Sequence, residues 1–436
     1  MQRIHEGAMM HRRNFLERTG AGLAATLVSR PLLSSPDGEP KAVPLPSGVE
    51  PGKPVDFAAL RQDFPPLKTW TYLDTAFIGL LSRQVKAAHE RHLDERFRFD
   101  SLPNDSSILG VWMKRAERIR QKVAAFIGAS SDEIAFTLCT GCGSNIALNG
   151  IDWRSGDNAV VDDLEYSTDM HILNALRQKG VEIRIVRNRD GVETPEDFAA
   201  LTDKRTRAFV VCHVSHVNGL RHDLKALADI IHSTNGYLVV DAAQSVGGIK
   251  IDVAADHVDF MSGIPYKWLN GPNGVGFFYV RKEIIPGFPP DRLGWSSTNE
   301  FKSLETMESN PLPDTARRFE YGTLAYESVE GLEAAIDYML AIGIDTVEKR
   351  TLALSRLLRE LLKKKGVRFF TPENAESPIV ACFVENARAM NMTLRDQRIY
   401  VTARAWEGED YFRVSPHFYN TEEDVERFVS ALAKLG

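Results

Sequence analysis

The sequence predicts an α/β fold, a large domain on a mostly parallel sheet followed by a smaller α+β C-terminal domain. Three observations carry this. From about 130 to 280, short apolar runs alternate with segments of helical periodicity, as βα units do. The run Tyr237-Leu238-Val239-Val240 follows Asn235-Gly236 and is apolar throughout, which suits a parallel strand buried on both faces. Beyond Glu327 the order changes to two amphipathic helices, several short strands and a closing helix.

Composition sets the outer limits. The chain has 436 residues, 43% hydrophobic and 26% charged, which is enough for two cores. We divide it into a leader and linker (1–54), a large domain with its N-terminal segment (55–325) and a small domain (326–436). A net charge of −6 argues against a nucleic-acid surface. No apolar run reaches about 18 residues, so no membrane span is expected.

At the start, His11-Arg12-Arg13-Asn14-Phe15-Leu16 precedes a weakly hydrophobic run of small residues from Thr19 to Val28. This resembles a twin-arginine export signal and predicts a periplasmic or extracytoplasmic protein; the alternative is a basic tail on a cytoplasmic one. That export route carries proteins already folded. Without a clear cleavage site, both cutting near Ser34–Ser35 and retention stay open. Pro31 to Pro54 reads as a linker.

Thr71 to Gly79 reads as a strand ending in a turn. Ile119, Val123, Phe126 and Ile127 recur at helical spacing within Met113–Ile127, and Gly128 stops that helix. Ser131 to Asn149 reads as strand, glycine turn and helix. Free N–H groups at such a helix start, with the Thr140 hydroxyl, suit an anion, while many junctions of this pattern bind nothing. Cys139 and Cys142 form a C-x-x-C pair, but no second pair or nearby His completes a zinc site, and we expect no metal. A disulfide there is open if the protein is exported.

Ala159 to Val161 gives the next strand, and Tyr166 follows it. Arg184 to Val186 and Ala208 to Val214 give two more. Alternation along the second puts His213 and His216 on opposite faces, against a metal pair. Leu224, Leu227, Ile230 and Ile231 form a helix face before the strand that ends in Asp241.

Open α/β sheets bind ligands at the carboxyl ends of their strands, and a carboxylate at that position needs a positive partner or a donor. Lys267, between Tyr266 and Trp268, lies on the loop joining strands at Val258–Met261 and Gly274–Val280. A lysine desolvated by aromatic neighbours loses its proton and becomes an amine nucleophile that forms Schiff bases. Arg317 to Thr323 is a loop before the helix Glu327–Ile342. Leu354, Leu357, Leu358, Leu361 and Leu362 mark a second helix, and strands are expected at Val367–Phe370, Ile379–Val384, Ile399–Thr402 and Tyr411–Val414. Thr421 caps the last helix. Arg413 at a strand end offers a guanidinium, suited to bidentate binding of a carboxylate.

Six motifs in this order resemble the class V aminotransferase and cysteine desulfurase family of pyridoxal 5'-phosphate (PLP) enzymes. They are Thr71-Tyr-Leu-Asp-Thr-Ala-Phe-Ile-Gly79, the turn at Thr140-Gly141-Cys142, Ser215-His216-Val217-Asn218-Gly219, and Asp241-x-x-Gln244 with Lys267 and Gly271-Pro-Asn-Gly-Val-Gly276. Arg317-Arg-Phe-Glu-Tyr-Gly-Thr323 and Arg413-Val-Ser-Pro-His-Phe-Tyr-Asn420-Thr-Glu-Glu423 complete the set. The resemblance implies fold type I of the PLP-dependent transferases. It implies an internal aldimine on Lys267, Asp241 at the pyridine nitrogen, and Thr140, Gly141, Cys142 and Tyr266 at the phosphate. Tyr166 would stack on the ring, Gln244 and His216 would face the phenolic oxygen, and Arg413 would hold the substrate carboxylate. Thr323 would reach the phosphate of a neighbouring subunit, which implies a homodimer. Two departures stand out. His216 replaces the Asn of the family pattern, and Ile264 and Tyr266 replace the Ser and His of desulfurases, Tyr being usual in kynureninase-like members.

The expected substrate is an amino acid, attacked at Cα. Desulfurases carry a mobile cysteine shortly before the final arginine motif, and Ile399 to Asp410 has none. We therefore expect transamination, with isopenicillin N epimerase-like epimerisation or β-lyase chemistry as alternatives. From another class, a non-catalytic exported PLP or amino-acid binding protein would use the same fold. The glycines at 271, 274 and 276 fail the dinucleotide pattern.

Overall fold

Strand and helix patterns between 130 and 280 become one layered sheet in a computed structural model, which describes residues 44–98, 107–298, 301–303 and 308–435. The twin-arginine reading at Arg12 and Arg13 lies outside the described residues. Seven strands build the sheet: β1 (Ile134–Thr137), β2 (Asn158–Asp162), β3 (Glu182–Val186), β4 (Thr206–Cys212), β5 (Tyr237–Asp241), β6 (Phe260–Gly263) and β7 (Gly276–Val280). Their order is β1-β7-β6-β5-β4-β2-β3, and only β7 runs antiparallel to its neighbours. This is the mostly parallel α/β sheet of fold type I.

Period-2 alternation divides each central strand between two cores. Phe209, Val211, Leu238, Val240, Met261 and Phe277 face one core; Ala208, Val210, Val239, Phe260 and Phe278 face the other. The first is covered by α1 (Arg83–Arg98), α2 (Ile108–Ile127) and two later helices, the second by α3 (Thr140–Gly150) and α4 (Ser167–Arg177). Those later helices are α5 (Leu224–His232) and α6 (Tyr326–Ile342). Buried residues of α6, among them Val329, Leu332, Ile336 and Met339, join the large core, so the change of core falls after Gly343, whose φ of 88° turns the chain.

The small domain then packs α7 (Ile344–Lys363), α8 (Ala387–Asp396) and α9 (Glu422–Leu432) on an antiparallel sheet of β8 (Val380–Phe383), β9 (Thr402–Trp406) and β10 (Glu409–Val414) in the order β8-β10-β9. Thr71–Tyr72 pairs in parallel with Ile399–Tyr400, and Asp74 bridges Ser415, so the N-terminal segment is docked on this domain. Pairing of that segment splits the strand expected at Ile399–Thr402 into two. The strand expected at Val367–Phe370 reduces to a single bridge between Phe369 and Cys382. Among the described residues, no helix is long and apolar enough to cross a membrane.

Candidate active site

The carboxyl ends of β4 and β5, the start of α3, the Lys267 loop and the N-terminal segment converge. Asp241 is the last residue of β5 and is buried. The Ala243 N–H donates to its Oδ1 at 2.6 Å. Burial raises its carboxyl above the usual range, against the Ala243 N–H, the Lys267 charge and the Thr140 hydroxyl, which favour the anion.

Lys267 follows β6 on a loop held from three sides. The Gly79 N–H donates to the Tyr266 carbonyl at 2.8 Å, the His417 imidazole meets the Trp268 carbonyl at 2.7 Å, and the Trp268 indole N–H donates to the Gln244 side-chain oxygen at 2.9 Å. The ammonium lies 5.9 Å from the centre of the Tyr166 ring and 5.8 Å from that of Tyr266. Burial lowers Lys267 to about 8; Asp241 pulls the other way, and Arg413 and Arg404 add to the depression. The result is an amine about one-tenth neutral at pH 7 and half neutral at about pH 8, far more than an ordinary lysine, as a nucleophile or base requires.

Gln244 also donates to the Ala76 carbonyl at 2.9 Å, so its amide ties the N-terminal segment to Trp268 and keeps one N–H for a ligand. Tyr166 caps the start of α4 with a ring 40% exposed, a free face for stacking. His216 stands edge-on to it, ring centres 5.0 Å apart. Its Nδ1 has no partner, and burial and the cationic Arg404, Arg413 and Lys267 hold it neutral, at about 3. Because β4 ends at Cys212, His213 and His216 both lie beyond the strand, where alternation does not govern them.

Thr140, Gly141 and Cys142 are the first three residues of α3, as an anion-binding helix start needs. A Cβ on Gly141 would lie 3.0 Å from the Thr168 methyl, so glycine keeps the turn open. The Cys139 and Cys142 sulfurs are 3.6 Å apart and not bonded. Thr323 is exposed, just before α6, and no described hydrogen bond joins it to the other residues.

Arg413 lies on β10 and is fully buried. Its Nη1 donates to the His216 carbonyl at 2.9 Å and its Nη2 lies 3.8 Å from Asp74 Oδ1, while Nε and Nη2 have no hydrogen-bond partner. Two unmet buried donors on a guanidinium are matched by a carboxylate. Sequence reasoning missed Asp74, which the Thr402 hydroxyl also binds, and His417, which sits inside the final motif without an evident task. It also missed Asp169, whose carboxyl burial raises to about 7.

Together these residues suit a flat, phosphate-bearing cofactor. The helix start with its open Gly141 takes an anion, the Tyr166 face takes a ring, and Asp241 takes a proton-bearing ring nitrogen. The unpartnered Nδ1 of His216 and the Arg413 donors remain for polar groups.

Comparison with known proteins agrees. Residues 104–428 match the model of the family described as Aminotransferase class-V. A probable cysteine desulfurase of Methanothermobacter thermautotrophicus is 29% identical over 395 residues, covering 86% of this chain and 97% of that protein. The uncharacterized aminotransferase YcbU of Bacillus subtilis is 27% identical over 374 residues, covering 86% and 96%. The apo structure of a cysteine desulfurase from Thermococcus onnurineus NA1 superposes with a TM-score of 0.79 at 26% identity, covering 86% of this chain and 96% of that one.

Proposed function

This chain belongs to the aminotransferase class V family and is a PLP-dependent enzyme, and from that premise we propose that it transaminates an amino acid. One observation carries the choice. The segment before Arg413 is the β9–β10 hairpin, closed by Glu407 (φ 49°) and Gly408 (φ 88°), a two-residue turn of the kind that matches strand twist. It is tightly paired and holds no cysteine, so it offers neither the mobile loop nor the thiol on which sulfur transfer depends. Transamination asks only for a base, a carboxylate clamp and the cofactor.

PLP, when bound, supplies an aldehyde for the amine and an electron-accepting ring. Lys267 would carry it and Asp241 would hold its ring nitrogen. Thr140, Gly141, Cys142 and Tyr266 would take the phosphate, Tyr166 the ring face, and His216 with the remaining Gln244 N–H the phenolic side. Lys267 Nζ, neutral above about pH 8, is the base for the Cα proton. Arg413 fixes the substrate carboxylate, and Asp74 behind it keeps the guanidinium in place.

The supporting experiment mixes holoenzyme with L- and D-amino acids in the absence of any amino acceptor. Release of about one equivalent of 2-oxo acid per subunit supports transamination. Interconversion of enantiomers, or ammonia with sulfide or pyruvate, overturns it in favour of epimerisation or elimination. No turnover of any amine by protein that binds PLP would leave a binding protein.

We also infer a homodimer. Exposed Phe77 and Ile78 adjoin Gly79, and exposed Leu138 adjoins Cys139, so apolar surface borders the site where a second copy would cover it. A monomer by sedimentation would sink this. The Arg12-Arg13 leader supports export through the twin-arginine route; cell fractionation of Arg12→Lys/Arg13→Lys against wild type tests it.

A further inference from the structure

The C-x-x-C pair has no part in the reaction above, yet it forms the turn assigned there to phosphate. Cys139 is the exposed N-cap residue of α3 and Cys142 is its third residue, with the Cys142 N–H donating to the Cys139 carbonyl at 3.1 Å. Their sulfurs touch at 3.6 Å. A disulfide needs about 2.05 Å, a gap that side-chain rotation within one turn closes. The other cysteines, Cys212 and Cys382, are buried.

We propose that Cys139 and Cys142 are a redox-active thiol pair whose disulfide favours, and whose dithiol form opposes, occupancy of the α3 start by a phosphate group. This rests on the assignment of that turn in the proposed function. Thiols at a helix start ionise readily because the helix dipole and free N–H groups stabilise the anion. The pair shares one proton. The Cys139 thiol, the Leu138 and Cys139 N–H groups and the Arg292 charge bring Cys142 down to about 6 against burial, while Cys139 is raised. The phosphate is assigned to the adjoining turn at Thr140, Gly141 and Cys142, and the Gly141 and Cys142 N–H groups there also favour an anion on the Cys139 sulfur, so a thiolate of the pair and a phosphate compete by charge. Oxidation removes the thiolate.

The oxidant is a low-molecular-weight disulfide such as oxidised glutathione. One protein thiolate attacks it, forming a mixed disulfide and releasing one glutathione thiolate, which takes a proton. The second cysteine then attacks the protein sulfur and releases the second glutathione. Two protein thiols lose two electrons and two protons, and one glutathione disulfide becomes two thiols.

By linkage, if the disulfide tightens phosphate binding, phosphate favours the disulfide by the same factor. The full chain without PLP is equilibrated in glutathione redox buffers, with inorganic phosphate or with chloride of equal ionic strength. Thiols are then alkylated and counted by mass. The expected result is joint loss of the Cys139 and Cys142 thiols in one two-electron transition. Phosphate moves that transition about tenfold toward reducing buffer, about 30 mV. Stepwise mixed disulfides without an intramolecular bond, or a midpoint indifferent to phosphate, overturn the proposal. Cys139→Ser and Cys142→Ser should each abolish the transition; if either fails to fold, the wild-type titration still decides. A protein that binds PLP at Lys267 but shows no phosphate effect on its thiols loses this inference and keeps the functional reading.

Discussion

A Cβ on Gly79 would lie 1.9 Å from the Lys267 carbonyl oxygen, closer than any side chain tolerates. The N-terminal segment and the lysine loop are therefore in backbone contact, with the Gly79 N–H bonded to the Tyr266 carbonyl. Gly79→Ala must push the loop away. Overpacking of this kind costs about 1–3 kcal/mol, and misplacing a reacting group by about 1 Å costs about 100-fold in rate. The expected outcome is a lower melting temperature with kcat/KM down about 100-fold. Wild-type kinetics would show that Gly79 does not position Lys267.

Arg413→Lys keeps the charge but loses the planar fork. Charge-assisted hydrogen bonds are worth about 1.5–3 kcal/mol, so KM for the amino acid should rise about 10- to 100-fold while kcat changes little. Amines without a carboxylate should lose nothing. If kcat falls and KM holds, the residue acts on the fold or on the transition state instead.

Arg413, Lys267 and Asp241 show what was legible in the sequence. Arg413 stood out because its motif is local, and Lys267 and Asp241 because strand-end position and an aromatic setting are local too. Tyr237 to Val240 gave the sheet away, being apolar on both faces. Helix α1 was hidden because its buried side includes Gln84 and His92, which blur the apolar period. Asp74, His417 and the bond from Gln244 to Ala76 depend on contacts between segments more than a hundred residues apart, which no local pattern encodes. Thr71–Tyr72 was read as a strand, but its partner, Ile399–Tyr400, was set by the small domain.

Lys267 should titrate near pH 8 in the protein free of cofactor, and an amine-acylating reagent will report it as a rate that rises through that pH. Asp241 holds the ammonium up, so Asp241→Asn should move the midpoint lower; a move upward would show that the two do not interact. The sign for stability follows. The unfolded lysine, with a value of about 10.4, keeps a proton that the folded one releases at about 8, so burying the ammonium costs stability below about 8 and the cost fades as pH rises to about 10.4. Lys267→Met should remove that slope.

Behind the site, Asp162, Glu193 and His222 are buried within 4.8 Å of one another. His222 Nε2 lies 3.2 Å from Asp162 and 3.8 Å from Glu193, whose two oxygens have no described hydrogen-bond partner. Burial, with Asp162 and Asp163 adding charge, raises Glu193 to about 10, so it is protonated at neutral pH. An unfolded glutamate loses its proton at about 4.3, so between that value and about 10 the folded chain holds the extra proton and stability falls as pH rises. Glu193→Gln keeps the shape and cannot ionise. Its urea midpoint should gain on wild type steadily from pH 5 to about pH 9. A variant whose midpoint instead keeps a constant offset from wild type across that range would show that Glu193 is ionised in the folded chain as it is in the unfolded one.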